Sequence, residues 1–251
     1  MKVKHKQFSP TEISQYENVK NTIWEKFKLN TVNNVYLILN KINKHKNSLG
    51  DFVECGTFKG STLLTAAQFC KENNIDKKLV GIDTFGGFPY KGSNNPFDLP
   101  EFFEVLFKNQ KISQTHFNQA KLRTDNFTNL SHLNSEYFLD TEEVFANCKS
   151  YKNIELIVGT FKSITPTYDK PISILHLDGD LYGSYTTCLN NLYNNITPGG
   201  CIIFDEYYSH KYPGARVAVD EFFADKENEG YFEKYITSEG HERWCFEKNV
   251  N

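Results

Sequence analysis

From residue 51 onward, short apolar runs alternate with stretches of helical periodicity, and this alternation constrains the fold more than any other feature. It is typical of βαβ units, in which crossover helices join parallel strands. The runs predict five strands, at Phe52–Cys55, Leu79–Asp83, Ile154–Val158, Ile172–Leu177 and Cys201–Asp205. The other stretches predict helices at Thr62–Asn73, Glu142–Ser150, Ser184–Tyr193 and Ala215–Asp225. We therefore expect an α/β fold built on a mostly parallel sheet.

The first fifty residues lie outside this alternation and are expected to form a helical preface. Ser9-Pro10-Thr11-Glu12 matches a capping box with proline at the first helical position, so a helix should begin there and run toward about Lys28. A second helix is expected over Val32 to Lys44. We predict that residues 1–50 pack on the main domain, residues 51–251, or else serve as a dimer face or a substrate cover.

The segment between the second and third predicted strands is long and carries no strand pattern. Nothing from Pro89 to about Thr141 fits a strand, and Gly92-Ser93-Asn94-Asn95-Pro96 opens as a loop. Long insertions of this kind in compact domains are usually functional. We therefore predict a helical lid over residues 90–141.

The end of the chain predicts an antiparallel addition to the sheet. Tyr231–Thr237 and Arg243–Lys248 have strand character and flank Ser238-Glu239-Gly240, which suits a turn. We expect this pair to close the sheet edge.

Composition limits the classes of partner and compartment. With 251 residues, 24% of them charged, and a formal net charge of −3, the chain resembles one ordinary globular domain. Its lysines are scattered among acidic residues, so we expect no nucleic-acid partner. No apolar run has the length of a signal peptide or a membrane span. The six cysteines form no C-x-x-C pair and have mostly apolar neighbours, which favours buried free thiols in a reducing cytoplasm over the alternative of disulfides.

A glycine-bearing turn follows the first predicted strand, at the edge where α/β proteins bind ligands. Its sequence, Glu54-Cys55-Gly56-Thr57-Phe58-Lys59-Gly60-Ser61, is not the G-x-G-x-x-G of dinucleotide binders. Glu54 would repel a pyrophosphate but suits the ammonium of an amino-acid cofactor such as S-adenosylmethionine, and Gly56 lets the backbone approach a ligand closely. The alternative is an ordinary strand-to-helix turn capped by Ser61.

The next two strand ends complete a possible adenosine site. Asp83 ends the second strand, where it is placed to accept hydrogen bonds from two ribose hydroxyls, and Thr84 and Phe85 turn away at once. The third strand runs into Gly159-Thr160-Phe161, whose small residues and aromatic ring suit an adenine. Taken alone, Phe161 fits the core better than a cofactor site.

Paired acids follow the last two predicted strands. Asp178 and Asp180 come after one strand, and Asp205 and Glu206 end the next. Adjacent parallel strands would bring Asp178, Asp205 and Glu206 to one sheet edge, where like charges so close together need a cation. Carboxylate ligands favour Mg²⁺, Mn²⁺ or Ca²⁺ over zinc. For either pair alone, the alternative is a strand-end acid that caps a helix.

Residues 51–225 resemble the macrocin-type (TylF-like) family of sugar O-methyltransferases, which act in antibiotic tailoring and recur in bacterial polysaccharide loci. The matching segments are Val53–Gly60, Gly81–Pro89, Gly159–Phe161, Leu177–Ser184, Pro198–Gly200, Asp205–Tyr207 and Gly214–Phe222. The resemblance implies a Rossmann-like class I methyltransferase fold, S-adenosylmethionine, Mg²⁺ or Mn²⁺, and a sugar or nucleotide-sugar acceptor.

The resemblance also implies roles for single residues. Asp178, Asp205 and Glu206 would be the metal ligands and Asp180 the general base. The residues expected to hold the cofactor are Glu54, Gly56, Thr57, Gly60, Ser61, Asp83, Thr84, Phe85, Gly159, Thr160, Phe161 and Asp178. Those expected to meet the acceptor are Tyr182, Tyr207 and His210, the last because it lies in the loop after the metal strand, where an ordinary surface position is the alternative. The family usually has Asp-Asp-Tyr where this chain has Asp205-Glu206-Tyr207, so the longer Glu206 would coordinate in a bidentate or slightly shifted way.

Rival interpretations stay open at this point. His176 is an alternative base, although its apolar neighbours favour a core position. A nicotinamide-dependent oxidoreductase is disfavoured by the glycine pattern and by Glu54. A methyltransferase fold that serves only as an interaction module, or an acceptor such as a catechol, remains possible, as does a homodimer.

Overall fold

One eight-stranded sheet organises the chain in a computed structural model that describes residues 1–30, 35–88, 95–125, 139–236 and 242–250. Its strands are β1 (Val3–Lys6), β2 (Asp51–Cys55), β3 (Leu79–Asp83), β4 (Ile154–Val158), β5 (Ile172–Leu177), β6 (Ile196–Phe204), β7 (Gly230–Ile236) and β8 (Glu242–Lys248). They lie in the order β1-β7-β8-β6-β5-β2-β3-β4. The neighbours β2 to β6 are parallel, and β8 runs antiparallel to both β6 and β7.

The helices of the described residues flank this sheet. They are α1 (Pro10–Phe27), α2 (Val35–Lys44), α3 (Ser61–Glu72), α4 (Phe102–Lys108), α5 (Gln114–Asp125), α6 (Thr141–Lys149), α7 (Phe161–Ile164), α8 (Tyr182–Leu192) and α9 (Pro213–Phe222). The predicted capping box is present at α1, where Ser9 accepts from the amide of Glu12 and Glu12 accepts from the amide of Ser9. The predicted α/β class and the predicted parallel strands are confirmed.

Hydrophobic side chains fill both faces of the sheet. One cluster combines residues of α1, α2, α3 and α6, and the other combines residues of α8 and α9 with the aromatic side chains of β7 and β8. All six cysteines are buried and free, as predicted. In the described part of the chain, no helix has both the length and the apolar character needed to cross a membrane.

Two predictions about the sheet are wrong. The pair β7 and β8 does not close the edge, because β1 adds to β7 in parallel, with Val3 opposite Phe232. A short lysine-rich strand lacks apolar alternation, which hid β1 in the sequence, and such strands are common at sheet edges. Strand β6 begins at Ile196 rather than Cys201, since Pro198-Gly199-Gly200 is accommodated in an irregularity of the ladder with Gly199 at φ +76°.

The segment predicted to be a helical lid is helical where it is described. Helices α4 and α5 form a small apolar core of Phe103, Leu106, Ile112 and Ala120, against which Val217 of α9 packs. Residues 89–94 and 126–138 lie outside the described residues, as do residues 31–34, 237–241 and 251, which include the predicted start of the second helix and the predicted turn Ser238–Gly240. The lid function remains a prediction.

A buried ion network ties the N-terminal helices to the C-terminal strands. Lys41 on α2 is fully buried and donates to Glu233 of β7 and, at 2.6 Å, to Glu247 of β8. The hydroxyl of Tyr235 lies 3.2 Å from the same ammonium nitrogen. Charges taken out of water need partners of this kind, so the network fixes residues 35–44 against the sheet.

Candidate active site at the carboxyl edge of the sheet

Parallel register brings the predicted site residues to one edge. Cys55 of β2 pairs with Leu177 of β5, which pairs with Phe204 of β6. The amide of Asp178 donates to the carbonyl of Cys55 at 2.9 Å, and the amide of Asp205 donates to that of Leu177 at 2.9 Å. The residue that follows each of these strands is therefore held beside its neighbours, as the sequence predicts.

Gly56 is required by the close approach of two loops. Its φ of +101° lies in the region that favours glycine, and a Cβ there would sit 1.7 Å from the carbonyl oxygen of Asp178. The turn after β2 therefore packs directly on the backbone of the predicted metal ligand. A side chain at position 56 would displace that ligand.

Three carboxylates converge as predicted for a metal site. One oxygen each from Asp178, Asp205 and Glu206 lies within 4.8 Å of the others. Glu206 is 3% exposed, and Asp178 and Asp205 are half-buried. Burial, and then the neighbouring carboxylates, raise the pKa of Asp178 and of Glu206 well above their usual range. An all-oxygen set under mutual repulsion fits a hard divalent cation.

Asp180 lies beside this cluster in a left-handed backbone conformation, with φ +62°. Such strain in a residue other than glycine is found at functional positions. Burial raises the pKa of Asp180 to about 7, while the nearby Lys211 ammonium and a hydrogen bond from the Tyr212 hydroxyl oppose the rise. Asp180 therefore has a cation and a hydroxyl as partners, and both favour its charged form.

Sequence reasoning missed Lys211 and Tyr212. Both lie in the loop after β6, where the Ser209 hydroxyl oxygen accepts from their amides at 3.0 and 3.3 Å. Burial lowers the pKa of Lys211, although the charges of Asp180 and Glu206 oppose this effect. The sequence shows only that a lysine and a tyrosine follow Asp205 and Glu206 by a few residues. The folded loop is needed to show that they turn back toward Asp180.

Glu54, which is predicted to meet the ammonium of the cofactor, is enclosed by the protein. It is 1% exposed, and its Oε1 lies 3.1 Å from Nδ1 of the fully buried His176. Burial raises the pKa of Glu54, and the contact with His176 opposes that rise. Among the described residues, Glu54 Oε2 and the buried Thr57 Oγ1 make no hydrogen bond. His176 is thus a core partner of Glu54, in agreement with the core interpretation.

Asp83 holds two turns together. Its Oδ2 accepts from the amides of Thr57 and Phe58, each at 2.8 Å, and its Oδ1 accepts from the amide of Phe85 at 2.9 Å. The described contacts of Asp83 are therefore with the loops that would carry the cofactor, while its predicted bonds to ribose hydroxyls remain a prediction. Phe58, which the sequence did not single out, is 48% exposed at φ +47° in the turn that Asp83 holds.

The other predicted cofactor residues take mainly backbone and capping positions here. Gly60 adopts φ +74° just before α3, whose first residue is Ser61, and Thr160 caps α7 by accepting from the amide of Ser163 at 3.1 Å. The amide of Gly159 donates to the carbonyl of Asp83 at 2.9 Å. Thr84 donates to the carbonyl of Gly87 at 2.6 Å.

The two phenylalanines that were predicted to hold the cofactor both pack against other residues. The ring of Phe85 is buried in the core, 5.1 Å from that of Phe145. The ring of Phe161 packs toward Gly179, where a Cβ would lie 3.2 Å from its edge. The ring of Phe85 is therefore part of the core, whereas Phe161 borders the loop that carries Asp180.

The three residues predicted to meet an acceptor have separate positions. Tyr182 donates to Glu221 at 2.7 Å, on the exposed side of α8 and α9. Tyr207 is 8% exposed, stacks on Phe232 and donates to Asp220 at 2.7 Å, so packing assigns it to the core and not to an acceptor surface. His210 lies in the loop after β6, with its ring centroid 4.4 Å from that of His116.

The helical segment 95–125 is docked beside these loops at two points. Asp98 Oδ1 accepts from the amide of Tyr182 at 2.8 Å, and Gly214 leaves room for that carboxylate. On α5, Nε2 of the buried His116 lies 3.2 Å from the carbonyl oxygen of Ser209. Burial lowers the pKa of His116 to about 3, so it is neutral in this contact at ordinary pH. Both docking residues were missed because only tertiary contacts reveal them.

Solved structures with the same architecture define the class of fold. The structure is similar to that of the O-methyltransferase NovP, with a TM-score of 0.59 and 21% identity, over 94% of this chain and 80% of that one. It is also similar to the calicheamicin methyltransferase CalS11, with a TM-score of 0.57 and 17% identity, over 95% of this chain and 93% of that one. The fold is that of the class I methyltransferases.

The sequence is similar to a family of the same fold. The model of the macrocin-O-methyltransferase (TylF) family matches residues 117–233, just under half of the chain. The resemblance seen in the motifs is confirmed over that range, which includes the predicted metal ligands but neither Glu54 nor Asp83.

Two curated relatives extend this similarity. Demethyldecarbamoylnovobiocin O-methyltransferase of Streptomyces niveus is 27% identical over 184 residues, which is 71% of this chain and 60% of that protein. Mycinamicin III 3''-O-methyltransferase of Micromonospora griseorubida is 26% identical over 176 residues, or 69% of this chain and 60% of that protein. The chain thus spans about 60% of the length of these relatives.

Proposed function

We propose that this chain is an S-adenosylmethionine-dependent O-methyltransferase that uses Mg²⁺ or Mn²⁺ to methylate a hydroxyl of a sugar or nucleotide-sugar. The observation that carries the proposal is the convergence of Asp178, Asp205 and Glu206 within 4.8 Å, with Asp180 beside them on the loop after β5. Four acids at one edge of a methyltransferase fold are hard to explain as helix caps. They suit a cation, a hydroxyl acceptor and a proton acceptor.

The turn after β2 supports S-adenosylmethionine as the methyl donor. Glu54 Oε2 and Thr57 Oγ1 are buried polar atoms without a hydrogen bond among the described residues, and a ligand with donor groups would satisfy them. The ammonium of the cofactor would pair with Glu54. Gly56 and Gly60 keep side chains out of the turn, and Asp83 holds its shape through the amides of residues 57 and 58.

The four acids would divide two tasks in the transfer. Asp178, Asp205 and Glu206 would hold the cation. The bound cation would act as a Lewis acid and lower the pKa of the acceptor hydroxyl. Asp180 removes the hydroxyl proton onto a side-chain oxygen. The Lys211 ammonium and the Tyr212 hydroxyl favour the charged form of Asp180 that does this. S-adenosylmethionine supplies the methyl group, whose bond to sulfur breaks as its bond to the acceptor oxygen forms.

A sugar acceptor is supported by the names of two relatives. The name of the 8-demethyl-8-(2,3-dimethoxy-alpha-L-rhamnosyl)-tetracenomycin-C 4'-O-methyltransferase of Streptomyces olivaceus contains a rhamnosyl group, and that of Mycinamicin III 3''-O-methyltransferase contains a 3'' position. For this chain we propose a sugar of polysaccharide or natural-product tailoring. Such sugars carry neighbouring hydroxyls. These suit a site in which a cation and the proton acceptor Asp180 lie side by side.

The test is a screen for methyl transfer from S-adenosylmethionine to nucleotide sugars, free glycans and catechols, read by mass spectrometry. We expect a gain of one methyl group on a sugar hydroxyl. A product from the catechols alone would contradict the sugar proposal. Calorimetry with S-adenosylmethionine separates both results from a non-catalytic module, for which no binding is expected.

A further inference from the structure

We infer that Tyr185 is a positioning residue that fixes Glu206 as a metal ligand, an inference that rests on the proposed function. Tyr185 lies on α8 and is 1% exposed. Its hydroxyl lies 2.7 Å from Oε2 of Glu206 and 3.0 Å from the backbone nitrogen of the same residue. One hydroxyl thus contacts both the side chain and the backbone of a single predicted ligand.

The direction of these hydrogen bonds follows from the number of protons. The amide of Glu206 donates to the Tyr185 oxygen, and the hydroxyl has one proton to give. Its possible acceptors are Glu206 Oε2 at 2.7 Å and the carbonyl oxygen of Leu177 at 2.9 Å. A charge-assisted bond to an ionised carboxylate is the stronger of the two. With Glu206 ionised, as a metal ligand must be, the proton goes to Oε2.

The contact with Tyr185 restrains a side chain that is longer than an aspartate. A glutamate has one more rotatable bond than an aspartate, so its carboxylate needs more restraint to hold one position in a metal site. The backbone amide of Asp180, 3.4 Å from Oε2, approaches the same oxygen. With Oε2 held by Tyr185, the orientation of the whole carboxylate toward Asp178 and Asp205 is restrained. Residues that orient a ligand in this way commonly change metal affinity by 10- to 100-fold.

The experiment measures Mn²⁺ binding to the full chain by calorimetry, for the unaltered protein and for Tyr185→Phe. The substitution keeps the buried ring and removes only the hydroxyl. We expect Mn²⁺ affinity to fall by roughly 10- to 100-fold while S-adenosylmethionine affinity stays within about twofold. Tyr193→Phe is the matched control, because the Tyr193 hydroxyl also donates to a carboxylate, Glu229, at 2.6 Å but lies away from the acids. It should leave Mn²⁺ affinity unchanged.

Glu206→Asp, alone and combined with Tyr185→Phe, tests whether the two residues act through one bond. The shorter side chain of Glu206→Asp should lose the Tyr185 contact. The double variant should therefore bind Mn²⁺ with about the same affinity as whichever single variant binds it less tightly. Equal Mn²⁺ affinity in Tyr185→Phe and the unaltered protein, or fully additive losses in the double variant, would overturn the role of Tyr185. Absence of Mn²⁺ binding by the unaltered protein would instead refute the proposed metal site, and the role of Tyr185 with it.

Discussion

Gly56→Ala is the substitution whose effect follows most directly from the geometry of the site. The new Cβ would lie 1.7 Å from the carbonyl oxygen of Asp178, whereas real Cβ contacts are essentially never under 3.0 Å, so the two loops must separate by more than about 1 Å. Because a misplacement of about 1 Å can lower a rate by roughly 10²-fold, we expect kcat to fall by about 10² or more. Mn²⁺ affinity should fall as well, since Asp178 is a proposed ligand.

The control for this variant is Gly199→Ala. Gly199 also has a left-handed φ, +76°, but a Cβ there would meet its nearest neighbour at an ordinary 3.5 Å, far from the acids. Both variants carry the backbone penalty of an alanine at positive φ, about 1–2 kcal/mol. The assay compares initial rates of methyl transfer and thermal unfolding. If Gly56→Ala transfers methyl groups as fast as Gly199→Ala, the close approach does not set the position of Asp178.

Three further predictions, two of them with a comparison variant, test other parts of the structure. Asp180→Asn should lower kcat by roughly 10²–10⁴ with little change in Mn²⁺ affinity. The loss of activity in Asp205→Asn should instead be partly rescued by excess Mg²⁺. If excess Mg²⁺ rescues both variants, Asp180 is a metal ligand and not the base. Asp83→Ala should weaken S-adenosylmethionine binding in calorimetry and lower Tm, because it removes the acceptor of three loop amides; unchanged affinity would exclude Asp83 from organising the cofactor turn. Lys41→Met should lower the free energy of unfolding in urea by about 3–5 kcal/mol, because it leaves Glu233 and Glu247 buried without their shared cation. Lys44→Met, at a half-exposed lysine that also pairs with Glu247, should lower it by about 1 kcal/mol or less, and equal losses in the two lysine variants would contradict the burial argument.

The apolar parallel strands were predictable because their signal is local. Strands β3, β4 and β5 begin and end at the predicted residues, since each is an apolar run between polar loops. Strand β1 was not predictable in this way. Two of its four residues are lysines and only Val3 is apolar, so it forms by pairing with the edge of β7, more than 200 residues away in the chain. The start of β6 was hidden because Pro198-Gly199-Gly200 normally ends a regular element.

The candidate site likewise has one part with a local signal in the sequence and one part that depends on tertiary contacts. The meeting of Asp178, Asp205 and Glu206 follows from adjacency of parallel strands, so paired acids at strand ends were sufficient to predict it. The partners of those acids come from elsewhere in the fold. Tyr185 reaches Glu206 from a helix, and Tyr212 reaches Asp180 from a loop that folds back. No periodicity in the sequence encodes these contacts.

Metal dependence of methyl transfer tests the central claim most directly. The initial rate of transfer from S-adenosylmethionine to the best acceptor should be measured before EDTA treatment, after it, and after Mg²⁺ or Mn²⁺ is returned. The converging carboxylates predict that the rate is lost on chelation and recovers with either ion. Full activity in the chelated, metal-free protein would contradict the account and leave Asp178, Asp205 and Glu206 as structural acids.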